Sequence, residues 1–355
     1  MSDDGELIVR RDGALGRLTL NRPAALGALT TGMCEVIIAA LTGWRGDPAV
    51  KVVLIDHAGE RGFCAGGDIR ALAESGAGDG AAARRFFATE YRMNHLLSIY
   101  ETPIVTVMDG IVMGGGVGIS LPAGYRIATE RTRLAMPETG IGLFPDVGSG
   151  WFLPRLPGRA GLWLALTGAR LGPADCVNLG VATHFVEARV LDALRSALAK
   201  GAVDVGQAVG ACASPAGAAA IAAQRPDIDR LFAGAHLEAV FAALEADRGD
   251  WARAQLAAMA PKSPLSAKVA FRLIAGGLAP KSLAEDLRVE YRLASRLVRR
   301  PDFHEGVRAV IVDKGNRPVW RPATLAGATD ALVDELFAPL PAGEEWSPLP
   351  GALGG

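Results

Sequence analysis

Two glycine-rich knots constrain this chain more than any other feature: Phe63-Cys64-Ala65-Gly66-Gly67-Asp68 and Met113-Gly114-Gly115-Gly116-Val117-Gly118. Each follows a short apolar run of strand character, at 52–55 and 104–108, and each opens toward a stretch of helical character. A side chain at Gly67 or Gly115 would cover its own backbone N–H. Glycine at both positions therefore suits a pair of bare amides aimed at an oxygen that gains negative charge. The helices beyond them add unpaired N–H groups and a positive dipole end. Downstream, Pro137-Glu138-Thr139 and Pro145-Asp146-Val147 supply carboxyl groups. A single glycine motif is an ordinary turn, but two of them followed by carboxylates point to acyl chemistry.

From Leu7 to about Lys200 short β-branched runs alternate with longer helical stretches, an α/β order. Strand candidates are 18–20, 52–55, 104–108, 126–128 and 182–186; helix candidates are 30–44, 81–100, 115–123 and 173–180. A doubly wound parallel sheet predicts the same alternation, so periodicity does not choose the architecture. After about residue 201 the strand signal fades, and helical periodicity covers 228–246, 251–259, 263–275 and 282–299. The chain thus divides into a core at 1–200 and a helical region at 201–355. Within the latter, Pro261-Lys262-Ser263-Pro264 reads as a hinge, the alanine-rich stretch 206–224 as good helix former, and the Pro- and Gly-rich tail 339–355 as poorly ordered.

With 37 basic against 38 acidic residues, no global field draws the chain to nucleic acid or to anionic lipid. No apolar run approaches the roughly 20 residues needed to cross a bilayer. Cys34, Cys64, Cys176 and Cys212 form no C-x-x-C pair, which argues against a zinc site or a disulfide framework. His57, His95, His184, His236 and His304 lack metal-ligand spacing, so no metal or redox cofactor is expected. Ser120 and Ser149 lie outside any G-x-S-x-G elbow, and no phosphate-loop or dinucleotide pattern is present. The acidic start Met1-Ser2-Asp3-Asp4-Gly5-Glu6 shows no targeting pattern, and with the unpaired cysteines it leads to the expectation of a cytoplasmic protein.

The stretch from Asn21-Arg22-Pro23 through both knots to Pro137-Glu138 resembles the enoyl-CoA hydratase/isomerase (crotonase) superfamily. Within it, the 3-hydroxyisobutyryl-CoA hydrolase branch is the most similar. The likeness is carried by Met136-Pro137-Glu138-Thr139-Gly140-Ile141-Gly142-Leu143-Phe144-Pro145-Asp146-Val147-Gly148, by Phe152-Leu153-Pro154-Arg155-Leu156 and by Phe303-His304-Glu305-Gly306-Val307-Arg308-Ala309-Val310, and it covers most of 7–320. The resemblance implies a spiral of ββα units and C-terminal helices that cover an acyl pocket. It also implies homo-oligomers, trimers or hexamers.

The resemblance assigns the oxyanion-binding amides to Gly67 and Gly115, catalysis to Glu138 and Asp146, and contact with the acyl hydroxyl to Glu90. Gly66, Gly115, Glu138 and Asp146 join Glu90 as substrate contacts. Asp68 is expected to fix the loop or cap the next helix, and Arg22 resembles a residue near the CoA entrance. Two carboxyls of separated pKa could divide the work, one ionised as nucleophile or water-activating base and one protonated toward the leaving thiolate. Which does which stays open, as does an anhydride on Glu138. Two positions depart from the superfamily. Gly118 stands where hydratases carry a second catalytic glutamate, and Gly27 replaces the usual asparagine. The activity implied is hydrolysis of 3-hydroxyisobutyryl-CoA, as in valine breakdown; the alternatives are an enoyl-CoA hydratase or isomerase, or a non-catalytic CoA-binding member.

Overall fold

The computed structural model describes residues 5–201, 204–279, 281–315 and 317–350. Nine strands form two sheets among these residues. The larger takes β1 (Leu7–Asp12), β2 (Leu15–Leu20), β3 (Val52–His57), β5 (Ile104–Met108), β7 (Tyr125–Ala128) and β9 (His184–Phe185), adjacent in that order. The smaller takes β4 (Gly62–Cys64), β6 (Ile111–Met113) and β8 (Arg133–Ala135). Among these nine strands only the β1–β2 pairing is antiparallel. The chain therefore visits the large sheet and then the small one three times over, through β3 and β4, β5 and β6, and β7 and β8. That winding is the expected spiral.

The large sheet is covered on both faces, which is why its strands read as unbroken apolar runs. Alternate residues serve the two sides. Val52, Leu54, Val105, Val107 and Ile127 pack with Leu191, Leu194 and Leu198, whereas Val53, Ile55, Ile104 and Met108 join the main core. Four helices matter for the site: α1 (Thr31–Trp44), α2 (Ile69–Ala77), α3 (Ala81–Ser98) and α4 (Gly115–Ser120). Thr30 caps α1, accepting the Met33 amide at 3.2 Å, and Asp68 caps α2, as the sequence suggested for it.

After β9 the described chain is helical or irregular, with three departures from the sequence reading. The stretch 228–246 is two helices, Ala220–Leu231 and Leu237–Asp247, because the His236 side chain caps the second by accepting the Ala239 amide. The alanine-rich stretch 206–224 is interrupted after the Val205–Cys212 helix, where Pro215 and Gly217 interpose turn chemistry. The tail, expected to be poorly ordered, is anchored as far as it is described, and residues 351–355 lie outside the described residues. Trp346 is buried and donates from Nε1 to Ala88 O at 3.1 Å, while Glu345 pairs with Arg292. One indole and one carboxylate outweigh the Pro and Gly content.

Candidate active site

The small sheet delivers the site. Its strands β4, β6 and β8 are neighbours and parallel, with Gly62 opposite Ile111 and Ile111 opposite Arg133. At their C-terminal ends they release, side by side, the first knot, the second knot and the Met136-Pro137-Glu138 segment. Ligands in α/β proteins collect beyond the carboxyl ends of parallel strands for this reason. The knots touch: a Cβ built on Gly66 would lie 3.7 Å from the Gly115 amide nitrogen.

Neither the Gly67 nor the Gly115 N–H donates a hydrogen bond to a protein group among the described residues. Gly67 lies in a bridge with Leu29 whose bonds run through its neighbours, Leu29 N to Gly66 O and Asp68 N to Leu29 O. Gly115 is the first residue of α4, where an N–H has no partner within the helix. A side chain at either would have to displace a neighbour. A Cβ on Gly67 would meet the Phe86 ring at 2.8 Å, and one on Gly115 would overlap Oε1 of Glu90.

Glu90 and Tyr91 project from α3, Glu138 from the turn Glu138–Ile141, and Asp146 from the loop after it. Gly142, in the left-handed region at φ 76°, ends the Glu138 turn and brings the chain back toward Asp146. All three carboxyls are buried. Asp146 Oδ2 accepts from the Tyr91 hydroxyl at 2.8 Å, while Glu90 Oε1 and Glu138 Oε2 have no partner. Burial pushes the Asp146 carboxyl up to about 6, with the Tyr91 bond pulling against it. Glu138 is driven well above the carboxylate range by burial and then by the Asp146 charge, against the opposing pull of Lys262 and the amides of Glu138 and Gly114. Glu90 is raised by burial and Asp146 likewise.

A cavity of about 670 Å³ joins these groups: Gly66, Gly67, Glu90, Gly115, Glu138 and Asp146 all line it. Its walls are otherwise mostly apolar, with Phe86, Phe87, Leu72 and Leu143 among them, and three cations, Arg170, Lys262 and Arg317, also border it. The helical region closes one side. Ser263 N donates to Thr139 O at 3.0 Å, which ties the segment bearing Lys262 to the Glu138 turn.

Three residues fall elsewhere. Arg22 does not line the cavity; it bonds Ala28 O, Asp68 and Glu6, and so braces the first knot. Gly27 sits where a Cβ would overlap Phe63 O, so this packing admits no asparagine. Gly118 is equally hemmed in, its Cβ position 2.6 Å from Val147 Cβ and 3.0 Å from Asn94 Nδ2. Sequence reasoning missed Tyr91 and the three cations. Tyr91 stood beside Glu90 but reads as core, and Lys262 was visible only as part of a hinge. No group of three or more metal-ligating side chains occurs among the described residues.

A family profile described as Enoyl-CoA hydratase/isomerase matches residues 15–337. The 3-hydroxyisobutyryl-CoA hydrolase, mitochondrial, of Danio rerio is 44% identical over 94% of this chain and 90% of its own. Two solved structures are similar throughout. A carnitinyl-CoA dehydratase from Mycobacterium thermoresistibile has 40% identity and TM-score 0.92, covering 97% of this chain and 99% of its own. An enoyl-CoA hydratase from Rhodobacter sphaeroides has 41% identity and TM-score 0.90, covering 97% and 100%. The hydrolase relative is named as mitochondrial, which overturns the expectation of a cytoplasmic protein. Unpaired thiols suit any reducing compartment, so the cysteines could not make that distinction.

Proposed function

The chain belongs to the enoyl-CoA hydratase/isomerase family, and from that premise we propose that it hydrolyses 3-hydroxyisobutyryl-CoA to 3-hydroxyisobutyrate and CoA. The observation that carries this is the convergence of two undonated amides and three buried carboxyls on one cavity. The thioester oxygen sits against the Gly67 and Gly115 N–H groups. These hold the charge that develops when the carbonyl carbon is attacked, and removing one such donor costs about 2.7–4 kcal/mol in known cases. Glu90 Oε1, unpartnered and beside Gly115, bonds the acyl hydroxyl. An acyl group without that hydroxyl leaves a buried polar atom unpaired and is disfavoured. Arg170, Lys262 and Arg317 supply positive charge for the CoA phosphates.

The base is assigned to Asp146, whose carboxyl is pushed up only to about 6, and the acid to Glu138, which burial and the Asp146 charge push well above the carboxylate range. Asp146 takes a proton from water as its oxygen bonds to the carbonyl carbon. On collapse the C–S bond breaks and Glu138 protonates the leaving sulfur. A second route starts from Glu138 Oε2, which has no partner: ionised, it would attack the carbonyl, break the C–S bond with release of CoA thiolate, and form an anhydride that water then opens to the two carboxylic acids. Single turnover in ¹⁸O-water separates the two. Direct attack labels only the product, whereas an anhydride that water opens at its Glu138 carbonyl leaves the label on Glu138.

Hydration is the competing chemistry: the two similar structures are named as a dehydratase and a hydratase. The crowding at Gly118 argues against it here, since a second glutamate has no room. A thiol-release assay decides: free thiol from 3-hydroxyisobutyryl-CoA is expected. Loss or gain of enoyl absorbance with crotonyl-CoA, without thiol, would overturn the reading.

A further inference from the structure

Resting on the hydrolase reading above, we infer that Glu290 is a positioning residue, which clamps the turn that aims Asp146 from a helix 140 residues away in sequence. Glu290 lies on the Leu283–Leu297 helix, fully buried. Its Oε2 accepts the Gly148 amide at 2.7 Å and its Oε1 accepts the Gly150 amide at 3.0 Å. Those amides follow Asp146 by two and four residues, so both carboxylate oxygens are spent on the stretch that carries the reacting carboxyl.

That stretch needs holding. Val147, between Asp146 and the clamped amides, sits in the left-handed region at φ 59°, a conformation costly for a β-branched residue and kept only when its surroundings impose it. Three restraints surround it. Tyr91 fixes the Asp146 carboxyl, the Val147 side chain abuts Gly118, and Glu290 fixes the backbone beyond. Asp286, one helical turn before Glu290 and also buried, faces the same turn beside Gly150, but both of its oxygens lack a hydrogen-bond partner. Two buried carboxyls in contact are weak stabilisers compared with apolar side chains of the same size. The use of Glu290 here is geometric: through its two amide bonds the helical region reaches into the core and sets the direction of Asp146.

The test compares full-length Glu290→Gln and Asp286→Asn with wild type in the thiol-release assay. A glutamine oxygen accepts one amide, but its NH₂ confronts the other, so the clamp is half lost while the volume is kept. In Glu290→Gln, kcat is expected to fall about ten- to a hundredfold, with KM within about threefold of wild type. Asp286→Asn leaves both amide bonds in place, and its kcat should stay within about threefold of wild type. Unchanged kcat in Glu290→Gln, a loss confined to KM, or an equal loss in Asp286→Asn would overturn the clamp. Each presupposes an active wild type; a wild type that releases no thiol rejects the hydrolase reading itself, and the clamp with it.

Discussion

At the scale of single residues, the buried carboxyls set function against stability. Asp146 carries a folded-state pKa of about 6 against an ordinary 3.8, so between those values the native state holds more protons than the unfolded chain. Its contribution to stability therefore falls as pH rises through that window, by at most about 3 kcal/mol for a shift of this size. Asp146→Asn removes the buried charge while keeping an oxygen for the Tyr91 hydroxyl. It should melt higher than wild type at pH 8, with the gap closing toward pH 4, as scanning calorimetry across pH would show. The same variant, and Glu138→Gln, should lose about a hundredfold or more in thiol release. Tyr91→Phe acts with the opposite sign on ionisation, because a donor to the charged carboxylate disappears. The acidic limb of its kcat/KM profile should move to higher pH; an unmoved limb would separate Tyr91 from the titrating group. Gly118→Ala brings a methyl to 2.6 Å from Val147 Cβ. Overpacking there should cost about 1–3 kcal/mol in denaturant unfolding and lower turnover through displacement of Asp146.

At the scale of elements, α3 is the beam on which both Glu90 and Tyr91 hang, and the C-terminal segment holds it from outside. Trp346 donates to Ala88 O, Arg92 donates to Ser347 O, and the His95 and Trp346 rings meet edge to face. Trp346→Ala should destabilise the protein by about 3–5 kcal/mol and loosen the Glu90 contact, raising KM for hydroxyacyl substrates more than for unsubstituted ones. Equal changes for both substrates would mean that the segment does not bear on Glu90. What the sequence disclosed about these elements follows from how local the demand is. The knots were legible because a run of glycines directly after an apolar strand is a local pattern, although the groups that crowd Gly67 and Gly115, Phe86 and Glu90, lie far along the chain. Glu90 emerged through family likeness alone, since a glutamate within a helix looks the same facing solvent or core. The Asp286 and Glu290 pair has the spacing of an ordinary charged helix face, and only the tertiary contact with Gly148 and Gly150 distinguishes it. The anchored tail was misjudged for the same reason: nothing near Trp346 in sequence reveals Ala88.

At the scale of the whole molecule, the parallel small sheet and the helical region face each other across one cavity, and charge is distributed accordingly. With a formal net charge of -1, the protein offers no long-range pull on a polyanion, so CoA must be met by local cations. Arg170 follows the Ala160–Thr167 helix, Lys262 sits between the Asp250–Met259 and Pro264–Gly276 helices, and Arg317 lies beyond residue 312. Three separate parts of the chain thus bring a cation to the same cavity. Lys262 differs from the other two. It is largely buried, desolvation lowers its pKa, and the Glu138 charge opposes that fall, so it belongs partly to the reacting end. Arg170→Ala and Arg317→Ala should therefore raise KM for the CoA thioester with little change in kcat, and the increase should shrink as salt is added, because screening already weakens exposed ion pairs. A pantetheine thioester, which lacks the nucleotide and its phosphates, should be hydrolysed equally by wild type and by these two variants. Lys262→Ala should lower kcat for both substrates, since the anion left on Glu138 when it gives up its proton then has no neighbouring cation. Steady-state kinetics on the two thioesters at low and high salt separates these outcomes. If Arg170→Ala and Arg317→Ala slow both thioesters alike, the arginines act on the acyl end and the division of labour across the cavity is wrong.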